Sequence, residues 1–376
     1  MKLEEGKNKN SGSERACATK QRCCIAVALC AVLWFLFIVQ FSAKFTVPSI
    51  TRDSRSFPTN YSSQNPHLLT PKPVQKQAGS NPFCEALNER LKGKSGGGND
   101  TGMVTNSAGQ KYSVTSGVYG RLGNQMFQYA SLLGISQMNN RSPFFPRRGN
   151  GFQGVFRTTH VKDRSSKGFQ VISEKTIRTY DPKFESLPQA DVYLMQYLQS
   201  WKYFHCYRDL ILREFTFLAN VQNAAAAILN KYRKSGQKAI TVGVHVRRGD
   251  LLMSKHVNQG YRPAPKSYLD RAADYMRKKY RDVIFIVASD DVNWCKKTLT
   301  AKDFYVMDRG SAGVDLAVLA SCDHVIMTLG TFGWWAGYLS GGDVIYYNNS
   351  AVPKSHADVI MTPEDFFLPT WVGLGD

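Results

Sequence analysis

The sequence predicts an α/β fold built on a parallel, doubly wound sheet. From residue 240 to residue 347, β-branched runs alternate with helical patterns, which is the order of strand–helix–strand units. Three of these predicted strands end in polar loops, at 247–250, 289–291 and 328–331. Because the carboxyl ends of parallel strands lie at one edge of a sheet, we expect the three loops to line one cleft.

The amino-terminal residues precede this fold. The largely apolar run at 23–41 is long enough to span a membrane as a helix. Basic residues flank its first end, so the positive-inside rule places a tail of residues 1–22 in the cytosol and the rest of the chain in a lumen. A signal peptide cleaved just after the run is the alternative, but the run is longer than a usual signal core. We therefore expect an uncleaved signal anchor.

Residues 42–110 are predicted to form a flexible lumenal stem. They are rich in Ser, Thr, Pro, Asn, Gln and Gly, and their few apolar residues follow no period, so they cannot bury a core. Glycosylation sequons begin at Asn60, Asn99, Asn140 and Asn348. Disulfides persist on the lumenal side of a membrane, where four cysteines allow three complete pairings. These cysteines are Cys84, Cys206, Cys295 and Cys322.

A strand, a glycine loop and a helix begin the folded region. The predicted strand at 112–118 leads into the loop Gly120–Gln125 and then into a helical pattern that reaches Met138. This order points backbone N–H groups and a helix amino terminus at an anion, although a tight turn alone would give the same short motif. The next predicted elements are a strand at 193–198 and helices at 201–215 and 220–234.

The central motif joins a strand to two arginines. Alternating β-branched residues at 240–246 predict a buried strand, and Arg247-Arg248-Gly249-Asp250 follows at its carboxyl end. An arginine fork binds phosphate oxygens in pairs, so the motif indicates a diphosphate ligand. One alternative is a solvated arginine pair that only ends the strand. Another is cell adhesion through the tripeptide 248–250, which requires an exposed flexible loop.

The second half of the chain continues the alternation of strands and helices. Strands are predicted at 283–288, 304–307, 324–329 and 343–347, and helices at 265–280, around Trp294, at 314–320 and from 331 onward. The adjacent Trp334 and Trp335 are predicted to pack in the core rather than to form a platform for a sugar.

Composition narrows the class of ligand. The formal net charge of +19 is compatible with nucleic acid, an anionic membrane or an anionic small substrate. Apart from the arginine pair, the basic residues are dispersed, and neither zinc-finger spacing nor an RNP-like aromatic motif accompanies them. An anionic small substrate is therefore favoured over nucleic acid.

Four motifs resemble those of the alpha-1,2-fucosyltransferases (glycosyltransferase family 11), which transfer fucose from GDP-fucose to the 2-hydroxyl of galactose. They are Gly120–Met126, Tyr197–Tyr203, His245–Asp250 and Thr328–Trp335, the last running on to Gly341–Asp343. Four motifs in family order are more specific than any one of them. The resemblance implies a single-pass type II Golgi membrane protein with a lumenal catalytic part. It also implies a GT-B type fold of two facing Rossmann-like domains, with residues 111–238 on the acceptor side and residues 239–376 binding GDP-fucose.

The resemblance also implies roles for particular residues. Arg248, supported by Arg247, would neutralise the departing diphosphate, and Asp250 would orient the two arginines. His245 and Asp315 would contact the guanosine, although a carboxylate in the first turn of a helix also has a simpler explanation as a charge that favours the helix dipole. The remaining donor-binding residues would be Asn124, Gly123, Thr331, Gly330 and Ser289.

The sequence leaves the general base open. One related type of fucosyltransferase has a Glu several residues after its arginine pair, whereas Leu251–His256 contains no acid. Asp250, His245, His256 or Asp290 could accept the proton, or the step could be dissociative enough to need little base. The chain also has no Asp-x-Asp motif, so we expect catalysis without a metal, with arginine in place of the cation.

The resemblance therefore implies an inverting galactoside 2-alpha-L-fucosyltransferase that acts on a β-galactoside glycan of a glycoprotein or glycolipid. Two alternatives differ in class. One is a GDP-fucose-dependent enzyme whose acceptor is a protein or a core N-glycan, and the other is a non-catalytic Golgi lectin.

Overall fold

The computed structural model describes residues 81–95, 109–233 and 239–376. The predicted cytosolic tail, the anchor at 23–41 and most of the stem lie outside these residues. Within the three described ranges, no helix is both long enough and apolar enough to cross a bilayer.

The fold contains two parallel sheets. The first has the strand order β3-β2-β1-β5-β4 and the second the order β11-β10-β9-β6-β7-β8, with every neighbouring pair parallel. The strands of the first sheet are β1 (Ser113–Ser116), β2 (Ser142–Pro146), β3 (Val161–Lys162), β4 (Gln170–Ser173) and β5 (Val192–Met195). Those of the second are β6 (Ile240–Val246), β7 (Val283–Ser289), β8 (Phe304–Val306), β9 (His324–Met327), β10 (Val344–Tyr347) and β11 (Val372–Leu374). The predicted α/β class with parallel sheets is thus confirmed.

Helices lie in most of the connections between these strands, as is usual for parallel pairing, whereas residues 147–160 and 163–169 join β2 to β3 and β3 to β4 without one. The described helices are α1 (Pro82–Ser95), α2 (Leu122–Met138), α3 (Arg208–Glu214), α4 (Ala219–Tyr232), α5 (Ser254–Asn258), α6 (Lys266–Lys279), α7 (Val292–Thr298), α8 (Ala312–Ala320), α9 (Thr331–Ser340), α10 (His356–Val359) and α11 (Pro363–Phe366). The helix predicted at 201–215 is wrong in its first half, where two short 3₁₀ turns precede α3. The aromatic side chains of this segment pack into the core, which overrides its helical pattern.

Aromatic side chains from α2 and α9 form the centre of the core. The Phe127 ring lies 4.5 Å from Trp334 and 5.2 Å from Trp335, measured between centroids. Both indoles are fully buried, so the prediction that they pack in the core is confirmed. The Trp335 indole N–H donates to the Gly123 carbonyl at 3.1 Å, which holds the amino-terminal ends of α2 and α9 together.

The helix α1 corrects the stem prediction for its own residues. Cys84 forms a disulfide with Cys206, and Arg90 donates two hydrogen bonds to Glu185. Phe83 also packs edge-on against core aromatics. Because the disulfide and the ion pair hold this helix to the fold, it needs no periodic apolar face, and its sequence showed no sign of it. The other two cysteines named in the sequence analysis, Cys295 and Cys322, are buried elsewhere.

Candidate active site

Three polar loops meet at the carboxyl edge of the second sheet. Strand β6 lies between β7 and β9, and its register pairs Val246 with Ser289 and His245 with Met327. The loops that follow these strands therefore start side by side, as expected from the sequence. In parallel α/β sheets this edge is where ligands bind.

Asp250 holds Arg247 with two hydrogen bonds. The Arg247 Nε and Nη2 atoms donate to the two carboxylate oxygens of Asp250 at 2.8 and 2.9 Å. A third donor comes from the glycine loop of the first half, where Arg121 Nη2 donates to Asp250 Oδ2 at 2.8 Å. The hydrogen bonds from Arg247 lower the pKa of the Asp250 carboxyl below its usual value. Asp250 is therefore an anion shared by two guanidiniums from opposite parts of the chain.

Arg248 is held by a different set of contacts. Its guanidinium carbon lies 4.4 Å from the centroid of the Trp294 ring, and its Nε lies 3.7 Å from Asp291 Oδ2. The backbone N–H groups of Arg248 and Gly249 donate to Asp290 Oδ1 at 2.8 and 3.1 Å. The tripeptide 248–250 is thus fixed at the sheet edge and does not form the exposed flexible loop that adhesion requires.

His245 points from the end of β6 into a buried space. Only 8% of the residue is exposed, and burial lowers its pKa to about 4, so the imidazole is neutral at pH 7. Its ring lies 5.3 Å from Phe332. A Cβ atom on Gly333 would lie 2.5 Å from His245 Nδ1, so only glycine allows α9 to approach this closely.

Hydrogen bonds fix the orientation of the Asn124 amide. Arg178 Nε can only donate, and it donates to Gln199 Oε1 at 3.2 Å. Gln199 Nε2 must then face Asn124, and it donates to Asn124 Oδ1 at 3.1 Å. Thr331 Oγ1 donates to the same oxygen at 2.7 Å. With Oδ1 accepting twice, Asn124 Nδ2 is left as a donor beside the glycine loop.

Two of the predicted glycines permit close packing around this amide. Gly330 has φ +104°, and a Cβ there would lie 2.8 Å from Arg247 Nη1. A Cβ on Gly123 would lie 2.7 Å from the Phe332 backbone nitrogen. The amino terminus of α9 therefore lies directly against the glycine loop and the first arginine.

Ser289 makes a local hydrogen bond, whereas Asp315 has a buried oxygen without one. Ser289 Oγ accepts from the Asp291 N–H at 2.9 Å, within the turn after β7. Asp315 lies in the first turn of α8, where Oδ1 is buried without a hydrogen-bond partner and burial raises its pKa. The roles predicted for these two residues, and for the others named from the sequence, remain predictions.

Four residues that contact the candidate site were not identified from the sequence. Arg121 and Gln199 lie inside the recognised motifs, but nothing in the motifs pointed to their contacts. Trp294 was seen only as part of a helix. Arg178, at φ +57°, lies in a loop without periodicity, so no sequence signal indicated it.

A metal cluster is not part of this arrangement. Across the described ranges, no group of three or more His, Cys, Asp or Glu side chains is placed to hold a metal ion. The expectation of metal-independent catalysis is untested by this observation and stays a prediction.

Comparison with known proteins identifies the family. The family model for glycosyl transferase family 11 matches residues 88–375. The chain belongs to this family. Galactoside alpha-(1,2)-fucosyltransferase 2 of Bos taurus is 37% identical over 270 residues, which cover 69% of this chain and 78% of that protein. Galactoside alpha-(1,2)-fucosyltransferase 1 of Mus musculus is 34% identical over 318 residues, covering 82% of this chain and 79% of that protein.

Solved structures of other fucosyltransferases are more distant. The alpha-1,6-fucosyltransferase NodZ, soaked with GDP-fucose, aligns with a TM-score of 0.43 at 15% identity and covers 64% of this chain and 95% of that one. FUT1 of Arabidopsis thaliana, in complex with GDP, aligns with a TM-score of 0.44 at 14% identity and covers 73% of this chain and 78% of that one. Family membership rests on the sequence matches.

Proposed function

We propose that this family 11 protein is a galactoside 2-alpha-L-fucosyltransferase, which transfers L-fucose from GDP-fucose to the 2-hydroxyl of a terminal β-galactose with inversion. The observation that carries the proposal is the pair Arg247 and Arg248 at the end of the central strand. Asp250 holds the Arg247 guanidinium with hydrogen bonds. The Arg248 guanidinium lies over the Trp294 ring, with its Nε 3.7 Å from Asp291 Oδ2. The curated relatives that match most of the chain are named galactoside fucosyltransferases.

The arginines suit the chemistry of the leaving group. In this reaction the bond from the fucose anomeric carbon to the β-phosphate oxygen breaks, and the galactose 2-hydroxyl forms the new bond as it loses its proton. GDP departs with additional negative charge, which donors held in place before the reaction stabilise in the transition state. Arg247 is positioned by Asp250 and Arg248 by Trp294, so neither has to reorganise when that charge develops. Asn124 Nδ2 and Thr331 would add polar contacts to the phosphates.

The finer architecture is part of the same proposal. The two parallel sheets support two facing Rossmann-like halves of GT-B type, with the donor mainly on residues 239–376 and the acceptor on residues 111–238. The apolar run at 23–41 supports a single-pass type II protein with its catalytic part in the Golgi lumen. The acceptor would be a galactoside on a glycoprotein or glycolipid, and the arginines would make a metal unnecessary.

The test is a transfer reaction with the full-length protein in detergent. The protein is incubated with GDP-fucose, EDTA and a panel of β-galactosides, and the linkage of each product is determined. We expect α1,2-linked fucose on galactose at the same rate with and without EDTA. Consumption of GDP-fucose only with a peptide or a core N-glycan would change the acceptor class, and galactoside binding without GDP release would indicate a lectin. Loss of activity in EDTA, restored by a divalent cation, would refute the metal-independent mechanism.

A further inference from the structure

A cavity opens between two segments of the described chain that lie outside the donor site. It has a volume of about 440 Å³, within the range of roughly 300–1,000 Å³ that small-ligand sites occupy. Its walls come from two segments far apart in the chain, residues 174–177 with Gln196 and the region of α10 that includes His356, Val359 and Ile360. None of these residues belongs to the donor site described above.

One wall carries a buried carboxyl group with an unused oxygen. Glu174 is only 5% exposed. Its Oε1 accepts from the backbone N–H groups of Tyr197 and Leu198, both at 3.0 Å, whereas Oε2 is buried without a hydrogen-bond partner. A buried polar atom without a partner is costly unless a ligand or water completes it. Burial also raises the pKa of Glu174 to about 7.

The backbone beside this carboxyl group is held in an unusual conformation. Gln196 has φ +85° and Leu198 has φ +52°, in a region that residues with a side chain rarely adopt. The two hydrogen bonds to Glu174 lie on the residues next to Gln196 and hold the conformation. Strained backbone of this kind concentrates at ligand sites, and here it places the Gln196 side chain at the cavity.

One wall of the cavity adjoins a residue that contacts the donor site, and the other wall is hydrogen-bonded to the segment after the arginine motif. On one side Leu198 is followed by Gln199, which donates to Asn124 Oδ1 at 3.1 Å. On the other side the Ala357 N–H of α10 donates to Gln259 O at 2.9 Å, in the segment that follows the arginine motif. The cavity walls are therefore joined to Asn124 on one side and to the segment after the arginine motif on the other.

The lining combines a few polar groups with apolar side chains, which suits a sugar ring. Val359 is 66% exposed and lies beside Ile360, while Glu174 and Gln196 offer oxygen and amide groups to hydroxyls. Ligand sites commonly have such a composition, with apolar walls and a small number of oriented polar groups.

We propose that this cavity binds the acceptor glycan, with Glu174 and Gln196 holding sugar hydroxyls and Val359 lying against an apolar ring face. The inference rests on the proposed function for the identity of the ligand as a β-galactoside. The cavity and its lining do not depend on the proposed function.

Binding of lactose as the probe tests the inference without turnover. Saturation-transfer NMR is recorded on the full-length protein in the presence of GDP, for the wild type, Val359→Trp and Val171→Trp. Val171 is the matched control, because it is a valine exposed to 54% on β4 that does not line the cavity. We expect Val359→Trp to weaken lactose binding by about tenfold or more, the equivalent of about 1.4 kcal/mol, and Val171→Trp to leave it unchanged.

A second variant addresses the polar wall. Glu174→Gln keeps an oxygen for the Tyr197 and Leu198 N–H groups but changes the group that faces the ligand, so the fold should survive. In turnover assays we expect a higher KM for the galactoside and an unchanged KM for GDP-fucose. Equal lactose binding in wild type and Val359→Trp, or no lactose binding by the wild type, would overturn the inference. Failure of the proposed function has a separate signature, because GDP-fucose would then not be consumed even where lactose binds in the cavity.

Discussion

Replacing Trp294 with leucine tests whether the indole positions Arg248. The guanidinium carbon lies 4.4 Å from the centroid of the Trp294 ring, and leucine would keep the apolar contact with the neighbouring cluster but remove the aromatic face. Without that face, Arg248 should turn toward Asp291, whose Oδ2 is already 3.7 Å from Arg248 Nε. The arginine would then be displaced from the diphosphate.

The expected loss of activity follows from how exposed the contact between Arg248 and Trp294 is. Contacts between a cation and an aromatic ring stabilise by roughly 0.5–1 kcal/mol at exposed sites and by about 2 kcal/mol when desolvated. The Arg248 side chain is 23% exposed, so we expect the contact with Trp294 to contribute roughly 1–2 kcal/mol. Losing it corresponds to about a 5- to 30-fold loss in kcat/KM. The Trp294 side chain is only partly buried against the cluster, so the free energy of unfolding should fall by about 1 kcal/mol.

The assay is kcat/KM for GDP-fucose, with the melting temperature measured on the same samples. Trp294→Phe is the matched variant, because phenylalanine keeps an aromatic face with a weaker attraction for cations. Its kcat/KM should fall between those of the wild type and the leucine variant. A leucine variant that stays within twofold of the wild type would refute the argument that Trp294 positions Arg248.

Three further predictions concern particular residues. Arg248→Lys should lose nearly all transfer while the protein stays folded, because lysine cannot reproduce the two-pronged contact with phosphate, and near-normal turnover in that variant would remove Arg248 from its proposed role. Gly330→Ala should reduce kcat/KM at least tenfold, because its Cβ would meet the Arg247 guanidinium. Gly168→Ala is the control, since Gly168 has φ +84° but open space around it, and should add only backbone strain. Equal activity in the two variants would contradict this prediction. Cys84→Ser and Cys206→Ser should each lower the free energy of unfolding by roughly 3–5 kcal/mol, because the disulfide closes a separation of 122 residues, and the double variant should match either single one in a denaturant titration.

The second sheet could be predicted from sequence far better than the first. Strands β6, β7 and β9 are rich in β-branched residues, because both faces of a central parallel strand are buried. The short strands β2, β3 and β4 carry no such run, and the edge strand β11 was also missed. The pattern of residues along the chain is informative only where burial is continuous on both faces of the strand.

The features of the candidate site also differ in how far the sequence predicts them. The glycine loop and the arginine pair could be found because their residue types are tied to a local backbone form and to a kind of ligand. The contact of Arg248 with Trp294 joins residues on two different strand–helix units, and the chain from Arg178 through Gln199 to Asn124 spans two loops and a helix. Such contacts depend on tertiary packing, which one sequence does not encode as a local pattern. The docking of α1 by a disulfide was unpredictable for the same reason, since three pairings of the four cysteines were open.

The candidates for the general base differ in which atoms remain to accept a proton. Both Asp250 oxygens accept from guanidiniums, and Asp290 Oδ1 holds the backbone of the arginine turn. Burial lowers the pKa of His245 to about 4, which makes it a weak base. His256 Nδ1 lies 2.7 Å from the Asp250 carbonyl oxygen. A carbonyl only accepts, so Nδ1 carries the proton and Nε2 has the lone pair.

His256→Ala is therefore the substitution that tests whether His256 takes the proton of the acceptor. The fixed positive charge in this site stands on the leaving-group side, where Arg247 and Arg248 favour cleavage of the bond to phosphate before the acceptor attacks. We therefore expect His256→Ala to lower kcat less than tenfold, whereas a required general base contributes about 10²–10⁴-fold. Lys255→Ala, at the preceding exposed position, is the control for loop perturbation. If His256→Ala lost a hundredfold or more while Lys255→Ala stayed active, proton abstraction by Nε2 would be part of the rate-limiting step and the dissociative interpretation would be wrong.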